Sequence, residues 1–220
     1  MNWPELRKKC RRESDYIITL LITNEISLVF TWILIRTQVT PNQVTLASIV
    51  CGMFCGLFYS YGNFIVGSFF LLLSHISDCT DGNLARAKET YSSFGKWLDM
   101  FGDRLVESMI FIGIGVYFIR IGESAWVMIS LTSGVLLILY YYIVDIGLAL
   151  SISKTIQNIG NLKFKDVHIK WGIMEPVIYG FIILASLGFV KIQLVLVLAM
   201  SAAGLVYQTI KGIKISEKLP

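Results

Sequence analysis

Four aspartates lie in one stretch of the sequence at spacings that suit shared chemistry. The stretch, residues 78–103, reads DCTDGNLARAKETYSSFGKWLDMFGD. Residues three or four apart share a helix face, so Asp78 pairs with Asp81, and Asp99 pairs with Asp103. A loop between two helices can turn these pairs toward each other. The sequence therefore predicts a cup of four carboxylates.

The chemistry of these residue types indicates a metal and a phosphate. Four negative charges this close together repel one another unless a cation binds between them. Hard oxygen ligands favour magnesium, manganese or calcium over zinc. Gly82 allows a ligand to approach the backbone, and Arg86 offers a fork of donors that suits phosphate. This set of groups is typical of sites for a pyrophosphate-bearing substrate.

The composition excludes several classes of protein. Of the 220 residues, 55% are hydrophobic and 15% are charged, and the mean hydropathy is +0.67, which excludes a soluble globular domain and a disordered chain. The net charge of +4 comes without a basic stripe, so no nucleic-acid partner is expected. Four scattered cysteines predict neither a disulfide framework nor a zinc site. We expect one membrane domain over residues 1–220, in contact with membrane lipids.

Hydropathy predicts an all-α membrane protein with about six transmembrane helices. The predicted spans cover residues 43–61, 63–77, 97–119, 125–151, 171–190 and 193–210. Residues 17–35 are also apolar, but Asn24 and Glu25 would be costly in mid-membrane, so this stretch is predicted to be an amphipathic interfacial helix. Residues 1–40 then form a cytoplasmic and interfacial region, and residues 41–212 form a six-helix bundle.

Basic residues predict the orientation of these spans. Four segments on one side carry most of the lysines and arginines: the N-terminus, residues 86–96, residues 154–170 and the C-terminal tail. The opposite side has only Arg120 and Lys191. The positive-inside rule then predicts a multi-pass protein of the plasma membrane with both termini and the active site in the cytoplasm.

The aspartate motif resembles the signature of the CDP-alcohol phosphotransferases, also called CDP-alcohol phosphatidyltransferases. That signature reads D-x2-D-G-x2-A-R-x8-G-x3-D-x3-D. The residues that match its fixed positions are Asp78, Asp81, Gly82, Ala85, Arg86, Gly95, Asp99 and Asp103. The sequence TPNQVT at residues 40–45 is similar to the family's entry into its first span. The family's six spans, preceding amphipathic helix and cytoplasmic site agree with the topology predicted above.

The resemblance implies a role for each matching residue. Asp78, Asp81 and Asp99 would be metal ligands, and Asp103 would be both a ligand and the catalytic general base. The metal would be Mg2+ or Mn2+, with two ions, and the protein would be a homodimer. The residues that would contact the CDP donor are Asn42, Gln43, Val44, Thr45, Gly82, Ala85, Arg86, Ser92 and Gly95.

The implied reaction is a transfer of a substituted phosphate group with release of CMP. An acceptor hydroxyl, deprotonated by Asp103, attacks the donor phosphorus distal to cytidine. The donor would be CDP-diacylglycerol or an ether-lipid analogue, and the acceptor a polar alcohol, as in phospholipid biosynthesis. The alternative, in which a CDP-linked head group is transferred to a lipid or polyol alcohol, uses the same residues and stays open.

The acceptor is predicted to bind between the fourth and fifth spans. The candidate acceptor-binding residues there are Lys163, Lys165 and Glu175. Family members with a phosphorylated acceptor use arginines near the start of the fifth span, whereas residues 171–180, WGIMEPVIYG, contain none. This argues against a phosphorylated acceptor, unless lysines of the preceding loop substitute for the arginines; the simpler interpretation of those lysines is membrane orientation. Two further expectations concern ionisable residues near the motif. Arg104 and Glu107 are expected to form an intramembrane ion pair. His75 is expected to be packed in the protein and to form a hydrogen bond.

Two other classes of membrane protein use carboxylates in comparable ways. A membrane prenyltransferase binds pyrophosphate through aspartates and magnesium, but such enzymes split their aspartate motifs between distant loops. A transporter or proton channel predicts internal repeats or broken helices near mid-membrane, whereas these aspartates cluster toward one edge. Both are remote alternatives.

Overall fold

Long helices make up most of this computed structural model, which describes residues 1–12, 14–149, 159–164, 167–170 and 172–216. The helices are α1 (Trp3–Lys9), α2 (Asn24–Leu34), α3 (Pro41–Ser60), α4 (Phe64–Lys88), α5 (Ser93–Arg120), α6 (Ser124–Ala149), α7 (Met174–Gly180) and α8 (Val190–Ser216). A π-helical turn, Thr19–Thr23, leads into α2, and a second one, Phe181–Ala185, extends α7.

The ends of α3, α4 and α5 are fixed by local sequence. Thr40 and Gln43 form a capping box at the start of α3, with Pro41 in the first turn. Helix α4 ends at Lys88, and the following residue, Glu89, caps it in a left-handed conformation with φ 56°. Ser92 then caps α5 by accepting a hydrogen bond from the Gly95 amide at 2.9 Å. This short, well-capped connection holds the two helices of the aspartate motif side by side.

Helices α3 and α5 touch along their backbones. A Cβ atom added to Gly113 would lie 2.1 Å from the carbonyl oxygen of Gly56, so only glycine fits there. The buried core around this contact is aromatic and aliphatic, and includes Tyr59, Phe118 and Phe181. Tyr59 also donates to the Phe181 carbonyl at 3.3 Å, where α7 changes into its π-helical turn.

Four helical segments in the described part of the chain are long and apolar enough to cross a membrane. They are Pro41–Ser60, Phe64–Lys88, Ser124–Asp145 and Val190–Ile213. Helix α5 has 28 residues, but its first half carries the charged residues of the motif. The apolar helix Met174–Ala185 is shorter than these four. The predicted helical membrane fold is confirmed as a mostly helical one, and six is an approximate count of its spans.

The predicted boundaries differ from the observed ones mainly near charged residues. The second span was predicted to end at residue 77, but α4 continues to Lys88, and α5 begins at Ser93 instead of residue 97. Hydropathy falls where charges enter, whereas the helical backbone continues because these side chains find partners in the protein. The predicted end of the fourth span, residue 151, lies outside the described residues, as does residue 171.

The N-terminal region is amphipathic, as the sequence predicts. Helix α2 and its π-helical turn expose Leu21, Ile22, Ile26, Val29, Phe30 and Ile33. The opposite face, with buried Ser27, Leu28 and Thr31, packs against α4. Asn24 accepts a hydrogen bond from Asn83 at 3.1 Å, and Glu25 pairs with Arg7, so both polar residues have partners.

A small three-stranded sheet, which the sequence did not predict, joins distant parts of the chain. Its strands are β1 (Ser14–Asp15), β2 (Ile159–Phe164) and β3 (Val167–Lys170), in the order β1-β3-β2. β1 runs parallel to β3, with Ser14 opposite His168, and β2 is antiparallel to β3. A strand of two residues has no periodicity to recognise. The pairing holds the chain before α2 against the segment that precedes α7.

Candidate functional site

Three carboxylates from two helices converge at one point. One carboxylate oxygen from each of Asp78, Asp81 and Asp99 lies within 4.8 Å of the others. Asp78 and Asp81 are on α4, and Asp99 is on α5. Clustered carboxylate oxygens are the ligands that a hard divalent cation prefers. The predicted convergence of the two aspartate pairs is therefore present in the fold.

Asp103 faces the same cavity as these three aspartates. That cavity has a volume of about 370 Å³, and it is lined by all four aspartates together with Gly82 and Arg86. We call it the carboxylate cavity. Because Asp103 lies one helical turn beyond Asp99, it is on the same side of α5. The four predicted aspartates are thus brought together.

Thr45 links the start of α3 to the carboxylates. Its hydroxyl donates a hydrogen bond to Asp81 Oδ2 at 2.6 Å. Both residues are buried. A short hydrogen bond to a charged acceptor fixes the carboxylate's orientation. Thr45, predicted as a donor-side residue, therefore also positions a candidate metal ligand.

A second cavity, of about 310 Å³, opens beside the first. We call it the donor cavity. It contains seven of the nine predicted donor contacts: Asn42, Thr45, Gly82, Ala85, Arg86, Ser92 and Gly95. The other two are not among its lining residues. Gln43 accepts a hydrogen bond from the Thr40 amide at 2.9 Å, and Val44 is buried in the fold.

Arg86 is held at the boundary between the two cavities, and both include it in their walls. Its Nη2 donates to Asn83 Oδ1 at 2.7 Å, and Asn83 in turn donates to Ser27 at 2.7 Å. The Nε of Arg86 is buried and has no hydrogen-bond partner in the described part of the chain. A buried donor of this kind is costly unless a ligand satisfies it. This arrangement suits an oxygen of a bound phosphate.

The predicted pair of Arg104 and Glu107 is present on α5. Arg104 Nη1 lies 2.7 Å from Glu107 Oε2, and its guanidinium stacks 4.0 Å from the ring centroid of Tyr141. Both charged residues line a narrow cavity that also contains Asp103. The pair therefore sits directly behind the carboxylates, on the side of the bundle core.

His75 packs as the sequence predicts. It is buried, and its Nε2 lies 3.3 Å from the hydroxyl of Tyr179. The same side chain also lies within 4.8 Å of ligand atoms of Asp78 and Cys79.

The three candidate acceptor residues are placed differently from one another. Glu175 is buried and accepts a hydrogen bond from the Thr19 amide at 2.8 Å, so it ties α7 to the turn before α2. Lys163 lies on β2 opposite His168. Lys165 lies outside the described residues. An acceptor role for these residues stays a prediction.

The carboxylate cavity also contains two residues that sequence reasoning missed, Arg12 and Tyr16. Lys170, from the basic segment between the fourth and fifth predicted spans where acceptor binding is expected, lines it as well. Arg12 and Lys170 belong to basic segments whose simplest interpretation is membrane orientation. The pairing of β1 with β3 brings these segments together, and we found no signal for that contact in the sequence.

Comparison with known proteins agrees with this geometry. The description "CDP-alcohol phosphatidyltransferase" belongs to the family model that matches residues 38–210. A phosphatidylinositol phosphate synthase of Streptomyces avermitilis is 35% identical over 98 residues, which are 43% of this chain and 39% of that protein. The match thus spans less than half of that relative's length.

Solved structures share the fold. The phosphatidylinositol phosphate synthase of Mycobacterium tuberculosis, in complex with manganese and citrate, matches with a TM-score of 0.63 at 18% identity, covering 86% of this chain and 87% of that one. The structure of the same enzyme with CDP-DAG bound gives a TM-score of 0.61 at 18% identity. This match covers 86% of this chain and 92% of that one. The motif, the helices that carry it and the family match over most of the chain agree, and the chain belongs to the CDP-alcohol phosphatidyltransferase family.

Proposed function

We propose that this protein transfers a phosphatidyl group from a CDP-linked lipid to a polar alcohol and releases CMP. The observation that carries this proposal is the convergence of Asp78, Asp81 and Asp99 within 4.8 Å, beside a cavity lined by the predicted donor contacts. Family membership gives no support to a prenyltransferase or a transporter. The relatives make CDP-diacylglycerol the preferred donor, because one of the solved structures holds CDP-DAG.

The carboxylates fit a divalent metal. Oxygen ligands from Asp78, Asp81, Asp99 and Asp103 suit one or two ions of Mg2+ or Mn2+, and the Mycobacterium tuberculosis enzyme was solved with manganese. When bound, the metal neutralises the charge of the donor's pyrophosphate and of the departing CMP. The number and identity of the ions are part of the proposal.

Residues of this chain bind the donor and accept the proton of the acceptor hydroxyl. Arg86, fixed by Asn83, donates to the pyrophosphate, and the open backbone at Gly82 lets it come close. Asn42 and Ser92 line the nucleotide side, where a Cβ atom on Gly95 would lie 2.8 Å from Asn42 Oδ1. Asp103 accepts the proton of the acceptor hydroxyl as that oxygen attacks phosphorus.

The proposed function also includes the protein's location in the membrane and its oligomeric state. The protein is a multi-pass membrane protein of the plasma membrane, and its termini and active site face the cytoplasm, as the positive-inside rule predicts. It acts as a homodimer, as the resemblance to the family implies.

The test is acceptor-dependent CMP release by the purified protein in liposomes with CDP-diacylglycerol and magnesium. Serine, inositol, inositol phosphate, glycerol phosphate and ethanolamine form the acceptor panel. Asp103→Asn is expected to lower kcat by about 10²- to 10⁴-fold, because it removes the general base. Glu123→Gln is the matched control, since this carboxylate lies between α5 and α6 and pairs with Lys191.

Two outcomes would contradict the proposal. If no acceptor supports CMP release from CDP-diacylglycerol, but CDP-choline or CDP-ethanolamine with a lipid alcohol does, the direction of transfer is the reverse one. If Asp103→Asn keeps full activity with the preferred acceptor, Asp103 is not the base.

A further inference from the structure

The N-terminal segment contributes directly to the carboxylate cavity, and this bears on the acceptor of the proposed reaction. The parallel pairing of β1 with β3 places Asp15 opposite Ile169. Arg12 lies just before β1, and Lys170 is the last residue of β3. Both residues line the carboxylate cavity, although 157 positions separate them in the sequence.

Arg12 is built into this cavity. Its Nη1 donates to Asp15 Oδ2 at 3.2 Å, and the Asp15 side chain has only 4% of its surface exposed. Asp15 is itself held by the Tyr16 amide, which donates to its Oδ1 at 2.9 Å. The Nε of Arg12 is buried without a hydrogen-bond partner among the residues described. A guanidinium that is held in place and has an unsatisfied N–H donor is suited to bind an anion.

Arg12 also faces Arg86 across Gly82. A Cβ atom added to Gly82 would lie 3.5 Å from Arg86 Nη2 and 3.8 Å from Arg12 Nη2. Two guanidinium groups this close repel each other, and the carboxylates of Asp15 and Asp78 near Arg12 act against this repulsion. Burial acts to lower the pKa of Arg12, but Asp15, Cys79 and Asp78 outweigh it and raise this pKa, so the group stays charged.

Lys170 is a third cation in the lining of the carboxylate cavity, beside Arg12 and Arg86. Burial lowers the pKa of Lys170, Asp15 partly opposes this shift, and Arg12 adds to it. The positive charges of Lys170 and Arg12 therefore repel each other, and the buried carboxylate of Asp15 attracts both. A bound anion would offset the repulsion between the two cations.

The positions of the two cavities suit one substrate each: the donor cavity suits the CDP-linked donor, and the carboxylate cavity suits the acceptor. The donor cavity contains Asn42, Ser92 and Gly95, whereas the carboxylate cavity extends away from these toward Tyr16 and Lys170. They share Asp81, Gly82, Arg86 and Asp99, where the reacting phosphorus would lie. A donor in the first cavity leaves the second, of about 370 Å³, for the acceptor.

We propose that Arg12 and Lys170 bind a phosphate monoester on the acceptor alcohol. This rests on the proposed function and specifies its substrate: the acceptor is a phosphorylated polyol. A phosphate monoester accepts charge-assisted hydrogen bonds, and the Nε of Arg12, without a partner in the described part of the chain, and the ammonium of Lys170 can donate them. The start of α7 lacks arginine, but the cations come instead from the segment before β1 and from the end of β3.

The test compares acceptors in pairs, inositol with inositol phosphate and glycerol with glycerol phosphate. Arg12→Gln and Lys170→Met are each expected to raise KM for the phosphorylated acceptor roughly 10- to 100-fold, since each removes a charge-assisted hydrogen bond. The KM for CDP-diacylglycerol is expected to change less than about twofold. Arg12→Lys retains the charge and is expected to be intermediate. Lys8→Gln, an exposed cation on α1, is the control.

Binding without turnover separates this inference from the proposed function. Glycerol phosphate and inositol phosphate are expected to raise the thermal midpoint of the donor-free protein in detergent, and Arg12→Gln is expected to abolish this shift. Retained shifts in both Arg12→Gln and Lys170→Met would overturn the inference, as would CMP release that prefers serine or neutral polyols. Absence of CMP release with every acceptor, alongside an Arg12-dependent shift, would reject the proposed function but support the anion site.

Discussion

At the scale of single residues, the aspartate motif depends on neighbours that its signature does not include. Thr45 donates to Asp81, Asn83 fixes Arg86, and Arg104 pairs with Glu107 behind Asp103. Such partners orient the groups that contact substrate or metal. Their contribution can be measured separately from that of the aspartates.

Thr45→Val is expected to raise the magnesium concentration for half-maximal CMP release roughly 10-fold or more, because it removes the 2.6 Å hydrogen bond that orients Asp81. Thr45→Ser keeps the hydroxyl and is expected to retain most of the affinity. Thr209→Val serves as the control, since the Thr209 hydroxyl donates to the Leu205 carbonyl of its own helix. An unchanged magnesium dependence in Thr45→Val would show that Asp81 is not positioned in this way.

At the scale of the helices, the site depends on close contact between α3 and α5. These two helices carry Thr45 and Asp99, so a small separation would move one relative to the other. The contact is closest at Gly56 and Gly113, where the carbonyl oxygen of one glycine occupies the space of a side chain on the other.

Gly113→Ala is expected to destabilise the protein by about 1–3 kcal/mol, because the new methyl group overlaps the α3 backbone. The measurement is the midpoint of thermal unfolding in detergent. Gly212→Ala in α8 is the matched control, since outside the adjacent backbone of α8 no atom of the described residues lies within 4 Å of its added Cβ. Equal midpoints for the two variants would mean that α3 and α5 are not in backbone contact.

At the scale of the whole molecule, the sequence predicts the helices and the motif well but not the contacts between distant segments. The spacing of Asp78, Asp81, Asp99 and Asp103 is a local property, so it predicts their convergence on two adjacent helices. The contribution of Arg12 follows from a two-residue strand that pairs with a segment over 150 residues away. Hydropathy also misplaces the end of α4, because charged residues there are stabilised by protein contacts.

The central claim is that the α4 and α5 carboxylates hold a divalent metal that supports transfer from a CDP-linked lipid. The most direct measurement is CMP release from CDP-diacylglycerol in liposomes, with the preferred acceptor, as magnesium or manganese is titrated after chelation. Wild-type protein is expected to be inactive without metal and to recover fully on its return, whereas Asp81→Asn and Asp99→Asn are expected to stay inactive. CMP release that persists in chelator, or in either variant, would contradict the claim.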